Sequence, residues 1–200
     1  FTKDTADTDG DGFSNYNELV TYSTNPSDAS DFPQVPLTVS ETNNGNISVS
    51  GGSKLGSIAT ITATPSLGYI FSSWTGASTG TNNPLSLTMD AAKTIGATFT
   101  KDTADTDGDG FSNYDELITY STDPADANNY PTRTLTAEAT TNGSITSTDS
   151  HKLGANTTVT ATPDLGYLFT AWTGASTGTD NPLTITMNDN KTIGATFTKD

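Results

Sequence analysis

The sequence predicts a mainly β protein, in which tandem small antiparallel β-domains are joined by short loop-helix modules. Short segments of alternating apolar and hydroxylated residues are separated by Gly, Asn or Pro, which is the pattern of half-buried strands. Thr, Ser, Asn and Gly are abundant and Leu is sparse, which also favours strands and turns over helices. The whole pattern then occurs twice, so the architecture is repeated along the chain.

The two copies are nearly the same sequence. The runs 1–16 and 99–114 are identical, and Trp74 recurs as Trp172 without a gap in the alignment. Residues 197–200 begin the same sequence again, so we expect the copies to belong to a longer array. Adjacent copies this similar indicate recent duplication. Repeated units make a chain longer, and an enzyme rarely needs that extra length.

Each copy begins with an acidic loop, DTDGDGFSNYNE at 7–18 and DTDGDGFSNYDE at 105–116. Asp at loop positions one, three and five, Gly at six and Glu at twelve is the ligand spacing of a twelve-residue calcium loop. Position seven would offer its backbone carbonyl, and Asn at nine would bind directly or through a water. We therefore expect at least one Ca²⁺ per loop and at least two in this chain. The predicted ligands are Asp7, Asp9, Asp11, the Phe13 carbonyl, Asn15 and Glu18, and then Asp105, Asp107, Asp109, the Phe111 carbonyl, Asn113 and Glu116.

A short helix is predicted after each loop. In the first copy Phe13, Tyr16, Leu19 and Val20 recur at three- and four-residue spacing, and Pro26 ends the segment. Two or three turns of helix are not stable alone in water. We therefore expect the metal to anchor one end of the helix and packing to bury its apolar stripe.

This loop-helix unit resembles the bacterial thrombospondin type 3-like calcium repeats. The resemblance rests on DTDGDGFSNYDEL followed at short distance by STDPADANNYP. Dockerin modules use a similar loop and helix, but they pair two such units in one compact module, whereas here a complete repeat separates them. The resemblance implies that the Asp after the Pro can join the metal network, and Asp28 and Asp126 match that position.

The rest of each copy predicts a small all-β domain. Six alternating segments fit into residues 35–100, and the second copy repeats them, for example at 158–162. No amphipathic helix of useful length interrupts them. The six predicted strands are 37–39, 47–49, 58–64, 69–74, 85–89 and 95–99.

This β part resembles the divergent internalin B-type repeat domain of bacterial surface proteins, through ITATPSLGYIFSSWTG and NPLSLTMDAAKTIGATF and their second copies. The resemblance implies a β-grasp-like fold. The stretch that would hold a β-grasp helix is rich in Gly and Asn, so we expect a β-grasp-like or sandwich domain with little or no helix. The predicted division is a tail of a preceding β-domain at 1–4, calcium modules at 5–34 and 101–132, and β-repeat domains at 35–100 and 133–198.

Charge and composition narrow the class of protein. With 23 acidic and 8 basic residues the formal net charge is −15, which repels nucleic acid and anionic lipid and suits cations. The absence of Cys excludes disulfides and zinc-thiolate sites, and no apolar run approaches membrane-spanning length. Calcium loops without cysteine fit a secreted bacterial protein. We therefore expect an extracellular or cell-surface monomer with no nucleic-acid partner and no membrane span.

Catalysis has little support in the sequence, so we expect no enzyme. The only histidine, His151, is replaced by Ser53 in the first copy, which indicates a surface residue. The carboxylates that could suggest a glycosidase all fall at calcium-ligand spacing. Trp74 and Trp172 either stack on sugar rings or form the core of a very small domain, and we favour the core.

Together these features predict a calcium-rigidified spacer, or stalk segment, of a large extracellular bacterial surface or adhesion protein. Its partners would be the neighbouring repeats of the same chain, and any glycan or cell-surface ligand would bind elsewhere in the parent protein. The alternative is a carbohydrate-binding accessory module of a secreted polysaccharide-degrading enzyme, which exposed indole faces would favour. A dockerin-like protein-binding module is disfavoured by the spacing of the loops.

Overall fold

The protein folds as two compact units, Phe1–Thr103 and Ala104–Asp200, in a computed structural model that describes residues 1–146 and 149–200. Each unit contains one loop-helix module and the β-domain that follows it in sequence. The two units therefore repeat the internal duplication of the sequence.

The predicted helix is present in both units, but most of it is π-helical. One α-helical turn, Asn15–Asn17, continues as a π-helical segment, Glu18–Tyr22, and Ser23 ends it in the left-handed conformation with φ 59°. The second unit has a π-helical segment at Asp115–Tyr120. π-Helical turns are rare and occur often at functional sites, and here each one carries the Glu of the acidic loop.

The expected burial of the apolar stripe is wrong for two of its members. Leu19 is 64% exposed and Val20 is 63% exposed, whereas Glu18 is fully buried. The wider π-helical turn changes the spacing at which side chains share a face, so the stripe predicted at α-helical spacing does not point inward. What packs instead is the ring of Phe13 on Tyr22, with ring centroids 5.4 Å apart.

All six predicted strands of the first β-domain are confirmed. They are β1 Leu37–Val39, β2 Gly45–Gly51, β3 Ile58–Pro65, β4 Tyr69–Gly76, β5 Leu85–Thr88 and β6 Lys93–Lys101. The six strands form two three-stranded sheets, in the orders β1-β6-β4 and β2-β3-β5.

One strand pair departs from the antiparallel prediction, because β1 runs parallel to β6, with Leu37 opposite Lys93 and Val39 opposite Ile95. Parallel neighbours need a long connection between them. The other four strands of the domain supply that connection, since all of them lie between β1 and β6 in sequence. Every other strand pair of this domain is antiparallel.

The second β-domain repeats most of this arrangement. Its strands are β7 Thr132–Ala137, β8 Gly143–Ile145, β9 Ser150–Lys152, β10 Asn156–Val159, β11 Ala161–Pro163, β12 Tyr167–Gly174, β13 Leu183–Thr186 and β14 Lys191–Lys199. They form sheets with the orders β12-β14-β7-β9, β10-β13 and β11-β8. The single strand predicted around 158–162 is interrupted between β10 and β11 at Thr160, which exchanges hydrogen bonds with Thr146.

A tryptophan lies at the centre of each core, as predicted. Trp74 is 1% exposed, its ring centroid is 5.0 Å from that of Phe71, and its Nε1–H donates to the Asn82 carbonyl at 2.7 Å. Ile61 from β3 and Ile95 from β6 belong to the same core, so the two sheets of the first domain pack on each other. In the second domain Trp172 is also 1% exposed and donates to the Asp180 carbonyl at 2.7 Å.

Within the described residues, the β-domains contain no helix, as expected from their Gly- and Asn-rich connections. The described helices are also too short and too polar to cross a membrane.

Both tryptophans should emit as buried indoles. We expect native emission to be blue-shifted and resistant to acrylamide, because each ring is almost fully covered and its N–H is satisfied. Denatured protein provides the reference for exposed indoles. Readily quenched native fluorescence that responds to soluble glycans would contradict this and favour a sugar-binding surface.

Candidate metal centre

Three aspartates meet in each acidic loop. Carboxylate oxygens of Asp7, Asp9 and Asp11 all lie within 4.8 Å of one another. Asp105, Asp107 and Asp109 form the same group in the second unit. The structure therefore brings together the three closely spaced carboxylates at predicted positions one, three and five of each loop.

Backbone hydrogen bonds to the first aspartate shape the loop. Asp7 Oδ1 accepts from the Gly10 amide at 2.8 Å, and Asp7 Oδ2 accepts from the Gly12 amide at 2.9 Å. Gly12 has a φ of 97°, so the turn at position six needs a residue without a Cβ. Asp105 makes the same two bonds, with Gly108 at 2.8 Å and Gly110 at 2.9 Å.

The other two aspartates each use one oxygen in the loop and leave the second oxygen without a hydrogen bond. Asp9 Oδ1 accepts from the Asp11 amide at 3.2 Å, and Asp11 Oδ1 accepts from the Phe13 amide at 2.8 Å. Their Oδ2 atoms are buried without a hydrogen-bond partner, as is Oε2 of Glu18. The second loop is the same, and the unpaired buried atoms there are Oδ2 of Asp107, Oδ2 of Asp109 and Oε2 of Glu116.

Buried carboxylate oxygens without a donor are costly, because a charged group that leaves water needs a partner of opposite charge or a donor. Here the cost is concentrated on three acidic side chains per loop, at positions that suit a hard cation with oxygen ligands. The residues present therefore fit a calcium ion. Calcium would supply positive charge to balance the several carboxylates of each loop.

Glu18 belongs to the same electrostatic group as the aspartates. Burial raises the pKa of Glu18 above its ordinary value of 4.5, and the charges of Asp9 and Asp11 raise it further. A hydrogen bond from Thr24 Oγ1, 3.3 Å from Glu18 Oε1, lowers it in part. The pKa of Glu116 is raised for the same reasons, with burial the largest. A carboxylate whose charge is this unfavourable in the ion-free fold gains most from a nearby cation.

The asparagine at position nine is held by the loop itself. Asn15 Oδ1 accepts from the Thr8 amide at 3.1 Å, and its Nδ2 donates to Asp4 Oδ2 at 3.0 Å and to Thr8 Oγ1 at 2.9 Å. In the second loop Asn113 Oδ1 accepts from the Thr106 amide at 3.1 Å. These bonds brace the start of the loop, and ligation through Asn15 or Asn113 stays a prediction. The same holds for the Phe13 and Phe111 carbonyls.

The aspartate after the proline stabilises its own turn. Asp28 Oδ1 accepts from the Ser30 amide at 3.0 Å and from Ser30 Oγ at 2.6 Å, and these bonds lower the pKa of Asp28. Asp126 Oδ1 accepts from the Asn128 amide at 3.0 Å. Both carboxylates are therefore used locally in this structure, outside the three-aspartate groups.

Sequence reasoning missed a lysine that contacts each loop. Lys54 Nζ donates to the Asp11 backbone carbonyl, and Lys152 Nζ donates to that of Asp109. One signal could have found them. Both copies keep this lysine although the residue before it changes from Ser53 to His151.

The expectation that His151 is a surface residue is only partly met. The residue is half-buried on β9, where it pairs with Arg133 of β7. Its Nε2 is buried without a hydrogen-bond partner. A comparison of the two copies alone could not reveal the pairing of β9 with β7 that places this residue in a sheet.

Residues 35–103 and 133–200 match the divergent InlB B-repeat domain, and these ranges make up more than half of the chain. The chain belongs to the divergent InlB B-repeat family. Residues 7–29 and 105–127 match the bacterial TSP3 repeat, which is a calcium-binding kind of repeat. Both resemblances read from the sequence are thus confirmed.

These InlB-type and TSP3 repeat families are typical of bacterial surface proteins, and they are non-catalytic kinds of domain. No curated protein and no solved structure matches the chain. The family of the chain therefore follows from the two repeat matches. The candidate calcium site follows from the geometry of the acidic loops.

The raised pKa values of Glu18 and Glu116 predict how the calcium-free chain responds to pH. Unfolded Glu18 and Glu116 titrate near 4.5 and the folded residues titrate higher, so just above pH 4.5 the folded state holds protons that the unfolded state lacks. The free energy of unfolding should therefore decrease as pH rises through this window. Denaturant unfolding in calcium-free buffer would measure it.

The control for this titration is the double variant Glu18→Gln and Glu116→Gln, which cannot lose those protons. It should show a flatter pH dependence than the wild type just above pH 4.5. Identical pH profiles for the two proteins would contradict the assignment of the effect to these glutamates.

Proposed function

We propose that this chain is a calcium-rigidified spacer segment of a large extracellular bacterial surface or adhesion protein. The observation that carries the proposal is the convergence of buried, unpaired carboxylate oxygens in both loops, on Asp9, Asp11 and Glu18 and on their second-copy equivalents. One cluster of three such oxygens occurs in each repeat, where an array would need it.

The mechanism is mechanical. Asp7, Asp9, Asp11 and Glu18 would hold the ion in the first loop, with the Phe13 carbonyl and Asn15 as further predicted ligands. A bare loop with four carboxylates repels itself and stays mobile, and one divalent ion halves that charge. The ordered loop would then fix the angle between successive β-domains.

Calcium binding would add a useful amount of stability to domains as small as these. Extracellular calcium modules often bind at roughly 10⁻⁴–10⁻³ M. With calcium about ten- to a hundredfold above that constant, binding adds about 1.4–2.7 kcal/mol per site. Domains of about 65 residues are marginally stable, so such an increment is a useful fraction of the total.

Several observations support this spacer over a sugar-binding module. The alternative, a carbohydrate-binding accessory module, needs exposed indole faces, but Trp74 and Trp172 are each 1% exposed. An enzyme is disfavoured because both repeat families are non-catalytic kinds. The surface-protein character of these families also supports an extracellular location.

The proposed partners follow from this function. Neighbouring repeats of the same chain would be the main contacts of each unit, and the chain would act as a monomer. Any glycan or cell-surface ligand would bind elsewhere in the parent protein. The net charge of −15 disfavours nucleic acid as a partner.

Calorimetric titration of chelator-stripped protein tests the metal. We expect at least two calcium ions per chain, because each unit carries one acidic loop. Magnesium is the comparison ion, and it should bind more weakly because it demands a smaller, near-octahedral site. No heat of binding at millimolar calcium would end the proposal.

Solution scattering tests the rigidity separately from binding. Removing calcium should shorten the maximum dimension or broaden its distribution, because the loops regain freedom. Circular dichroism should keep most of its β signal in chelator, since the acidic clusters lie outside the strands. Superimposable scattering profiles with and without calcium would refute the stiffening mechanism even if calcium binds.

A further inference from the structure

One lysine of each β-domain reaches a predicted calcium ligand. Besides its bond to the Asp11 carbonyl, Lys54 Nζ lies 3.7 Å from Asp11 Oδ2. Lys152 Nζ lies 4.0 Å from Asp109 Oδ2 in the second unit. These aspartates hold position five of their loops, and their Oδ2 atoms lack a hydrogen-bond partner. In each unit, therefore, one lysine ammonium group lies close to both the backbone carbonyl and the carboxylate of the same aspartate.

Aromatic rings hold the ammonium group in place. Lys54 Nζ is 5.2 Å from the centroid of Phe13, which follows the aspartates, and 5.1 Å from that of Phe32, which leads into the β-domain. Lys152 Nζ is 5.2 Å from Phe111 and 4.8 Å from Tyr130. A cation over aromatic faces is attracted electrostatically, and more strongly where water is excluded. Only 28% of the Lys54 side chain and 31% of the Lys152 side chain are exposed.

The backbone around the lysine is fixed in the β-domain. The Lys54 carbonyl accepts from Ser57 Oγ at 2.6 Å, just before strand β3 begins. The Leu55 amide donates to the Pro33 carbonyl at 2.9 Å, and the Gly56 amide donates to the Met89 carbonyl at 2.8 Å. Met89 is fully buried in the core. The lysine therefore links the acidic loop to a rigid part of the β-domain in the same unit.

We propose that Lys54 and Lys152 are coupling residues, through which calcium bound in a loop stabilises the β-domain that follows it. An ion that orders Asp11 also orders the carbonyl to which Lys54 donates, whereas a mobile loop loses that bond. By linkage, folding of the β-domain raises the calcium affinity of its loop by the same factor. This inference rests on calcium binding by the loops, and it adds a function for residues outside the ligand set.

Hydrogen exchange followed by mass spectrometry on the whole chain tests the coupling. Peptides of the two β-domains differ in mass, since LGSIATITATP at 55–65 corresponds to LGANTTVTATP at 153–163. In the wild type, calcium should slow exchange in the loops and, by about fivefold or more, at 55–65 and 153–163. In Lys54→Met, calcium should still slow exchange in loop 7–18 but no longer at 55–65, while 153–163 responds as before.

Two further variants separate coupling from general damage. Lys54→Arg should keep most of the calcium response at 55–65, because a guanidinium can also donate and lie over aromatic rings. Lys93→Met removes a lysine of the same unit that pairs with Asp90, 2.7 Å away, and should leave the response unchanged. If Lys54→Met fails to fold, loss of coupling in Lys152→Met, with 55–65 still responding, provides the same test.

The outcomes distinguish the two proposals. An unchanged calcium response at 55–65 in Lys54→Met overturns the coupling and leaves calcium binding intact. The coupling is also overturned if, in the wild type, calcium slows exchange in the loops but not at 55–65. Loops that fail to respond to calcium in every protein would instead remove the proposed function on which the inference rests.

Discussion

Replacing Trp172 with Ala should unfold the second β-domain under conditions where the first stays folded. A large buried aromatic costs about 3–5 kcal/mol when truncated to Ala. At roughly 0.05–0.15 kcal/mol per residue, a domain of about 65 residues has only about 3–10 kcal/mol in total. The variant also leaves the Asp180 carbonyl without the indole donor. Far-ultraviolet circular dichroism in a denaturant series would measure the loss.

Trp74 is the internal control in this variant, because it becomes the only tryptophan and lies in the other unit. Its emission should stay blue-shifted after the second domain unfolds. Trp172→Phe keeps an aromatic ring in the core and should destabilise less. A Trp172→Ala chain that unfolds like the wild type would show that this ring is not the main source of core stability. Simultaneous exposure of Trp74 would show that the two units do not fold independently.

The strands could be predicted from sequence because their signal is local. Alternation with period two, interrupted by Gly, Asn and Pro, placed all six strands of the first β-domain. The acidic loops were predictable for a similar reason, since the ligand spacing lies within twelve residues. The structure brings Asp7, Asp9 and Asp11 together as that spacing requires.

Features that depend on distant partners or unusual helix geometry were not predictable. Alternation does not determine strand direction, so it could not show that β1 runs parallel to β6. Helical spacing suggested that Leu19 would be buried, but the π-helical turn leaves it exposed. Lys54 contacts Asp11 across a long stretch of sequence, and no local pattern marks that contact. The strand direction and the lysine contact are decided by tertiary interactions, and the exposure of Leu19 by a rare local helix geometry.

Replacing Glu116 with Gln should weaken calcium binding at the second loop and leave the first loop nearly intact. The glutamate is fully buried and its Oε2 has no hydrogen-bond partner; burial, and then the charges of the neighbouring aspartates, raise its pKa. The amide offers no full negative charge and at most one oxygen, so affinity at this loop should fall at least about tenfold. Titration followed by the amide signals of Gly12 and Gly110 would report each loop separately.

The chain offers a matched control for this substitution. Asp115→Asn removes the same charge one residue away, and the first copy already has Asn17 at that position. Asp115 Oδ2 accepts a hydrogen bond from Ser112 Oγ at 2.9 Å, and Asp115 is not among the predicted ligands. It should therefore change affinity much less than Glu116→Gln. Equal losses from the two variants would mean that general charge, and not ligation by Glu116, governs binding.

The same two variants also test whether calcium occupancy of one loop controls the rigidity of the chain. If one ion per loop fixes that loop, Glu116→Gln should broaden the scattering-derived dimensions at calcium concentrations that saturate the first loop only. Raising calcium further should restore the wild-type profile, because the second site is weakened and not removed. Asp115→Asn should reach the wild-type profile at ordinary calcium. Rigidity would then follow the occupancy of a single loop, as a calcium-dependent spacer requires.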